Sequence, residues 1–358
     1  MLNNWKYINR DKFHFDFVTL SKVLDIETEL CEQGSRVYHI SCYAEENLEQ
    51  FKKELREILE ESYDVIHIHT NYWRGFAVEK IAKEMGVPKI IIHSHNTGIH
   101  NVGRRAEFES DADQKRAIES HLQYRSMLTP DMATDFWACS NAAAGWLFGN
   151  QIPKDRINIL YNAVDIDKFT YREEIRKQYR KELGVENYYV MGHVGRFTSQ
   201  KNHAFLMDIM KNILTDHEHV RLISVGWGEL KEKILVKAIE YGISDKIIFL
   251  ERRNDVNKLM QAMDLFLLPS LYEGFPIVLV EAQAEGIPCI ISDNITNEVC
   301  ITPNVTRLPL EMDSWIRAIE YAIEQGESLN RKDSVHLIEQ TDYNILNQIK
   351  KLEHMYCL

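Results

Sequence analysis

Two carboxylates stand eight positions apart in Glu273-Gly274-Phe275-Pro276-Ile277-Val278-Leu279-Val280-Glu281. On one continuous helix that spacing is roughly 12 Å. It exceeds the roughly 5–9.5 Å that separates the acid/base or nucleophile pair of a glycosidase. A hydrolytic pair is therefore disfavoured, and two carboxylates gripping different hydroxyl groups of one extended ligand is the better chemistry. Taken alone, a turn glutamate and a solvated helical glutamate would fit as well. The context adds weight. The apolar run Leu265–Leu268 reads as a buried strand, Gly274 as part of a turn, and Pro276 as the first turn of a helix, where proline is well suited. Ligands of open α/β sheets bind in the crevice beyond the strand ends. The unpartnered N–H groups of a helix start favour an anion there.

A second segment carries the opposite charge. In Met191-Gly192-His193-Val194-Gly195-Arg196-Phe197-Thr198-Ser199-Gln200-Lys201-Asn202 a strand again runs into a glycine turn. Arg196 offers a planar fork and Lys201 a compact charge, a combination suited to a diphosphate. Two cations near a strand end are also common surface features. A third segment, Val225-Gly226-Trp227-Gly228-Glu229, repeats the strand-to-glycine-turn pattern.

Histidines and aspartates raise the question of metal. His93 and His95 share one face of a strand, so a His-x-His zinc pair is conceivable. No nearby cysteine or third ligand supports metal, and a buried, hydrogen-bonded histidine competes for His93 more than for His95. Asp165-Ile166-Asp167 and Asp111-Ala112-Asp113 match an Asp-x-Asp pattern only superficially and read as solvated carboxylates. No metal and no cofactor is expected.

The elements that must position these residues alternate along the whole chain. Expected strands are Phe13–Leu20, Arg36–Cys42, Asp64–Thr70, Lys89–His93, Asp135–Cys139 and Ile157–Tyr161, then Tyr189–Val194, Val220–Val225, Lys246–Leu250, Leu265–Pro269 and Pro288–Ser292. Between them lie helical patterns such as Leu48–Ser62, with Leu48, Phe51, Leu55, Ile58 and Leu59 on one face. Such alternation argues for parallel sheets with crossover helices. Two doubly wound α/β domains facing each other are expected, with a boundary near Asp165–Glu182. The spans are 1–165, 166–340 and a C-terminal helix, 341–358, packing back on the first domain. The chain opens with a helical stretch, Met1–Arg10, so the first domain is entered one strand late and without a Gly-rich turn.

Bulk properties narrow the class. With 45% hydrophobic and 27% charged residues the 358-residue chain is of ordinary globular composition. A net charge of -12 argues against a general nucleic-acid binder. The six cysteines are scattered without a CxxC pair, which reads as reduced thiols in the cytoplasm. No apolar run approaches the roughly 20 residues of a membrane span. A basic n-region with an apolar core is absent from the N-terminus, so no secretory signal is expected. Contact with the inner face of a membrane stays open.

Together the Glu273-to-Glu281 element, the Gly195-Arg196-Phe197…Lys201-Asn202 loop, the Gly226–Gly228 turn, Asn162-Ala163-Val164-Asp165 and Ala284-Glu285-Gly286-Ile287-Pro288 resemble the family-4 retaining glycosyltransferases of the GT-B fold. The resemblance is nearly continuous over the second half and looser in the first, where it passes through His93-Ser94-His95-Asn96. It implies two Rossmann-like domains facing across a cleft. Arg196 and Lys201 would bind the donor's diphosphate, in the loop begun by Gly195, and Glu281 the ribose hydroxyls. Glu273, Gly274, Phe275 and Pro276 would contact the sugar; since proline has no N–H, the backbone donors would come from Phe275 and Ile277. Arg252 and Arg253 would lie near the base, and His95 would reach the transferred sugar.

The activity implied is transfer of a sugar from a nucleotide-sugar, a UDP-sugar above others, to a saccharide or lipid-linked saccharide, as in capsular or extracellular polysaccharide synthesis. No side-chain nucleophile is expected. His100, Arg104 and Arg105, within Gly98–Arg125, would suit an anionic acceptor, though a solvated helix fits that stretch as well. Rival readings are a UDP-sugar epimerase, a phosphorylase (for which no pyridoxal-lysine motif is seen), and a degenerate or truncated GT-B protein that binds nucleotide-sugar or a partner without transfer.

Overall fold

The computed structural model describes residues 2–99, 111–326 and 331–357. The chain divides into two compact units, one of Met1–Tyr161 with Ile349–Leu358 and one of Asn162–Gln348. Among the described residues no helix is long and apolar enough to cross a membrane.

Among the described residues the first unit contains six strands. β1 (Phe17–Thr19) and β2 (Val37–His39) form a two-stranded parallel sheet. β3 (Val65–Thr70), β4 (Lys89–Ser94), β5 (Asp135–Ala138) and β6 (Ile157–Ile159) form a four-stranded sheet in chain order, again all parallel. β4 carries Ile90, Ile91 and Ile92, all buried, as a parallel strand covered on both faces requires.

The crossover helices follow local signals. Asn47 caps Leu48–Leu59 by accepting the N–H of Gln50 at 3.1 Å. Phe51, Leu55 and Leu59, four residues apart, form that helix's buried stripe. Ser140 caps Asn141–Phe148 in the same way. Part of this unit's core arrives from the far end of the chain. Ile349, Leu352 and Met355, on the helix Ile345–Cys357, pack with Ile8, Ile91, Trp137 and Leu160.

The second unit is built on one parallel sheet. Its strands are β7 (Tyr189–Val194), β8 (Val220–Val225), β9 (Ile247–Leu250), β10 (Leu265–Leu268), β11 (Cys289–Ser292) and β12 (Val305–Leu308). The spatial order is β12-β11-β10-β7-β8-β9. Chain order runs outwards in one direction from β7 and in the other from β10, so the order reverses between these two neighbours. The crevice beyond the C-terminal ends of strands at such a reversal is where doubly wound sheets bind ligands.

One feature departs from expectation. The sixth strand, β12, was not anticipated: its Thr306 and Arg307 are exposed, as an edge strand allows, and they break the apolar run on which strand recognition depends. The two units divide between Tyr161 and Asn162, just before the charged stretch Asp165–Glu182 near which a boundary was expected. There the helix Glu173–Glu182 buries Arg176, which pairs with Asp264 and donates to the carbonyl oxygens of Gln261 at 3.0 Å and Met263 at 3.2 Å. Arg180 joins the same carboxylate at 3.0 Å. High charge density here marks an anchored helix.

Candidate donor site

The two segments singled out for chemistry follow β7 and β10, the strands that flank the reversal. β7 runs into Gly195, whose N–H donates to Val225 O at 3.0 Å. The neighbouring turn crosses very close to it. Gly226 has φ +153°, and a Cβ there would sit 2.0 Å from Gly195 O. A Cβ on Gly228 would lie 2.6 Å from Phe197 O. The glycines of the third segment thus serve close backbone approach. Phe197 N donates to Trp227 O at 2.9 Å, and Leu230 N donates to Phe197 O at 3.0 Å. Phe197 is buried and stacks on His203, with centroids 3.9 Å apart. These contacts hold the backbone on both sides of Arg196.

Gln200 and Lys201 occupy a short 3-10 turn, Ser199–Lys201. Lys201 Nζ lies 2.6 Å from Glu273 Oε1. Gln200 Nε2 donates to the other oxygen, Oε2, and to the carbonyl of Tyr272, both at 3.0 Å. The Leu271 N–H donates to Gln200 O at 2.8 Å. The loops after β7 and β10 are thereby stitched together, and Glu273 is buried with both carboxylate oxygens engaged. Burial and the neighbouring Glu273 push the Tyr272 hydroxyl up to about 12, while Arg196 opposes the shift. Arg196 therefore acts electrostatically on the same loop.

Pro276 is the residue that caps the helix Ile277–Ala284, one position earlier than expected for it, with φ -73° and ψ 106°. Phe275 is buried and stacks on Tyr343, with centroids 5.5 Å apart and ring planes 9° from parallel. Its carbonyl accepts from Asn162 Nδ2 at 2.9 Å. Asn162 had entered only as part of a motif, and Gln200 only as a neighbour of Lys201. The structure gives both a positioning role in the turn that contains Gly274.

Glu281 lies in the middle of the helix Ile277–Ala284, half-buried, and burial pushes its carboxyl up to about 7. One turn later Glu285 is fully buried. Burial raises it well above the usual carboxylate range, Glu281 adds to the rise, and Arg331, 4.0 Å away, opposes it. Arg252 is exposed after β9, at the edge of the sheet and two strands from β7. Arg253 is occupied by Asp255, at 2.8 and 2.7 Å.

The histidines belong to the first unit. His69 lies opposite His93 across the β3–β4 pair. His67 Nε2 and His93 Nδ1 are 3.0 Å apart, and His69 Nδ1 and His95 Nε2 are 2.7 Å apart. Burial lowers His95 to about 3, keeping its imidazole neutral. The expectation that no third ligand lies near His93 and His95 is corrected here, because parallel pairing supplies His67 and His69. Asp165 pairs with Lys168 at 2.9 Å, and Asp113 pairs with Arg116. His100, Arg104 and Arg105 lie outside the described residues.

Comparison with known proteins matches each half of the chain to a family. Residues 6–168 match Glycosyltransferase Family 4, and residues 174–340 match Glycosyl transferases group 1. EpsF of Bacillus subtilis (strain 168) is 29% identical over 364 residues, covering 99% of this chain and 91% of that protein. The Escherichia coli UDP-Gal:alpha-D-GlcNAc-diphosphoundecaprenol alpha-1,3-galactosyltransferase is 26% identical over 308 residues, 83% of this chain and 76% of the enzyme. Among solved structures, HepE of Anabaena in complex with UDP and glucose is similar with a TM-score of 0.76 at 19% identity, covering 99% of this chain and 94% of HepE.

Proposed function

The chain belongs to the family-4 glycosyltransferases of the GT-B fold, and from that premise we propose that it moves a hexosyl or N-acetylhexosaminyl group from a UDP-sugar, with retention, to a saccharide or lipid-linked saccharide. As a glycosyltransferase it serves polysaccharide or glycoconjugate synthesis. The choice of UDP follows the ligand of HepE and the named donor of the Escherichia coli relative. That relative also motivates a lipid-linked acceptor, reached from the cytoplasmic face of a membrane.

The observation that carries the donor reading is the buried Lys201–Glu273 pair, held by Gln200 at the strand-order reversal. A diphosphate arriving there meets Lys201, Arg196 and the N–H groups near Phe275–Ile277. As the bond between the anomeric carbon and phosphate oxygen breaks, its electron pair passes to the diphosphate. Preorganised donors stabilise that charge where it grows. The acceptor oxygen attacks the anomeric carbon on the same face, and its proton goes to the departing phosphate. No enzyme nucleophile, metal or cofactor takes part in this scheme. Glu273 and the backbone of Gly274, Phe275 and Pro276 hold the sugar, Glu281 the ribose, and Arg252 lies towards the base. By the same resemblance His95 is assigned to the transferred sugar.

The test is a thermal-shift screen against UDP-, GDP- and ADP-sugars, followed by product analysis and the anomeric configuration of the new linkage. A shift with UDP-sugars and a retained configuration is the expected result. An inverted product overturns retention, and a preference for GDP- or ADP-sugars overturns the donor.

A further inference from the structure

The four-histidine group has a chemistry of its own. The rings of His67 and His69 lie 4.2 Å apart, those of His93 and His95 4.1 Å, and those of His67 and His93 5.2 Å. They share one side of the β3–β4 pair because residues two apart on a strand, and partners across parallel strands, point the same way. Trp137, fully buried on β5, packs edge-on to His67 and His93, at 5.0 and 5.9 Å. Among the described residues, the ligand atoms of His67, His69 and His93 form a cluster, all within 4.8 Å of one another.

The hydrogen bonding of the cluster is incomplete in a way that points to a further ligand. A neutral imidazole has one N–H donor and one lone pair. His67 spends Nδ1 on the Tyr356 hydroxyl, at 2.7 Å, and Nε2 on His93. His93 spends Nδ1 on His67, while its Nε2 is buried without a hydrogen-bond partner. His93 itself is only 2% exposed. His69 is exposed and offers an entry route from solvent.

We propose that His67, His69 and His93 form a binding site for a divalent transition-metal ion of the zinc class, each contributing one ring nitrogen. Imidazole suits zinc, copper and nickel, whereas magnesium and calcium require oxygen ligands. Tetrahedral zinc with Zn–N bonds near 2.0–2.1 Å places its nitrogens about 3.3 Å apart. The most distant pair must then close by up to about 1.5 Å, a movement that ring rotation can supply. Tyr356, accepting from the Nδ1–H of His67, would select the tautomer whose Nε2 carries the lone pair. Such outer hydrogen bonds commonly orient a ligating histidine. A water completes the fourth position. This inference is independent of the donor reading, since no residue of the second unit contributes.

The test uses the full chain without a polyhistidine tag, stripped with chelator and titrated with zinc chloride by calorimetry. Cobalt substitution, read by absorbance, reports the geometry. One zinc per chain and a rise in Tm on zinc addition are expected. His69→Ala, at an exposed position that leaves the fold intact, should weaken binding at least tenfold and remove the rise in Tm. His336→Ala, at an exposed histidine elsewhere in the chain, should change neither. Absence of stoichiometric binding, or equal affinity in His69→Ala and the unaltered chain, overturns the site.

Discussion

Lys201 and Glu273, 72 residues apart in sequence, form a 2.6 Å ion pair in which Gln200 takes the second carboxylate oxygen. A cation proposed for the diphosphate and a carboxylate proposed for the sugar are thus one buried unit before any donor arrives. Neither can be removed without exposing the other to an unfavourable environment. Lys201→Ala is expected to lower kcat by roughly 10²–10³, the usual cost of a lost transition-state donor. It should also destabilise the fold by about 3–5 kcal/mol, because Glu273 would keep an uncompensated buried charge. Lys201→Ala with Glu273→Ala should recover part of that stability without recovering turnover. Urea melts and steady-state kinetics on the three variants check this; additive stability losses would show the two residues to be uncoupled.

Arg196→Ala is expected to separate affinity from turnover. The charge it meets grows as the sugar–phosphate bond breaks, so kcat should fall more than donor affinity. Single-turnover kinetics beside donor titration distinguishes the two effects, and an unchanged turnover number refutes the role.

Glu281 gives a pH dependence with a definite sign. Its carboxyl is raised from an ordinary 4.5 to about 7 by burial. If the carboxylate accepts from ribose hydroxyls, donor affinity should rise as pH increases through 7. The stability effect has the opposite sign. A raised folded-state value makes Glu281's contribution fully present below about 4.5 and lost as pH rises through about 7. Glu281→Gln should flatten the affinity profile, and Glu281→Ala should abolish the nucleotide-induced thermal shift. A pH-independent affinity in the unaltered protein would contradict the assignment.

Asn162→Ala removes the donor that fixes the Phe275 carbonyl. One net hydrogen bond is worth about 1 kcal/mol, so a roughly fivefold rise in donor KM is expected, with kcat little changed. Gly226→Ala should be more severe. It forces a Cβ to within 2.0 Å of Gly195 O at a φ of +153°. A loss of at least about 2 kcal/mol is expected in urea unfolding.

Much of the second unit's fold was legible because its signals are local. A buried run, a glycine turn and a helix start lie within one short window around Glu273, and the same is true around Arg196. Relationships that depend on register were not legible. His67-Ile68-His69 repeats the His-x-His spacing of His93 and His95, but nothing local joins the two pairs, and only the pairing of β3 with β4 sets them side by side. Lys201 and Glu273 were each singled out, but for different parts of the ligand, and nothing local joins residues so far apart. Strand β12 escaped because an edge strand can face solvent with Thr306 and Arg307. Gln200 is a further case, since an uncharged side chain between stronger candidates gives no signal until its partner is in place.

The core built from Ile349, Leu352 and Met355 sets an order of events on the ribosome. Domains ordinarily fold in the sequence in which they emerge. Here the first-synthesised unit must wait, its hydrophobic face around Ile91 and Trp137 uncovered, until the whole of Asn162–Gln348 has been translated. The second unit has all its strands available sooner. Assembly of this protein is therefore expected to run from the middle outwards, with the longest exposure to chaperones and proteases falling on the residues made first.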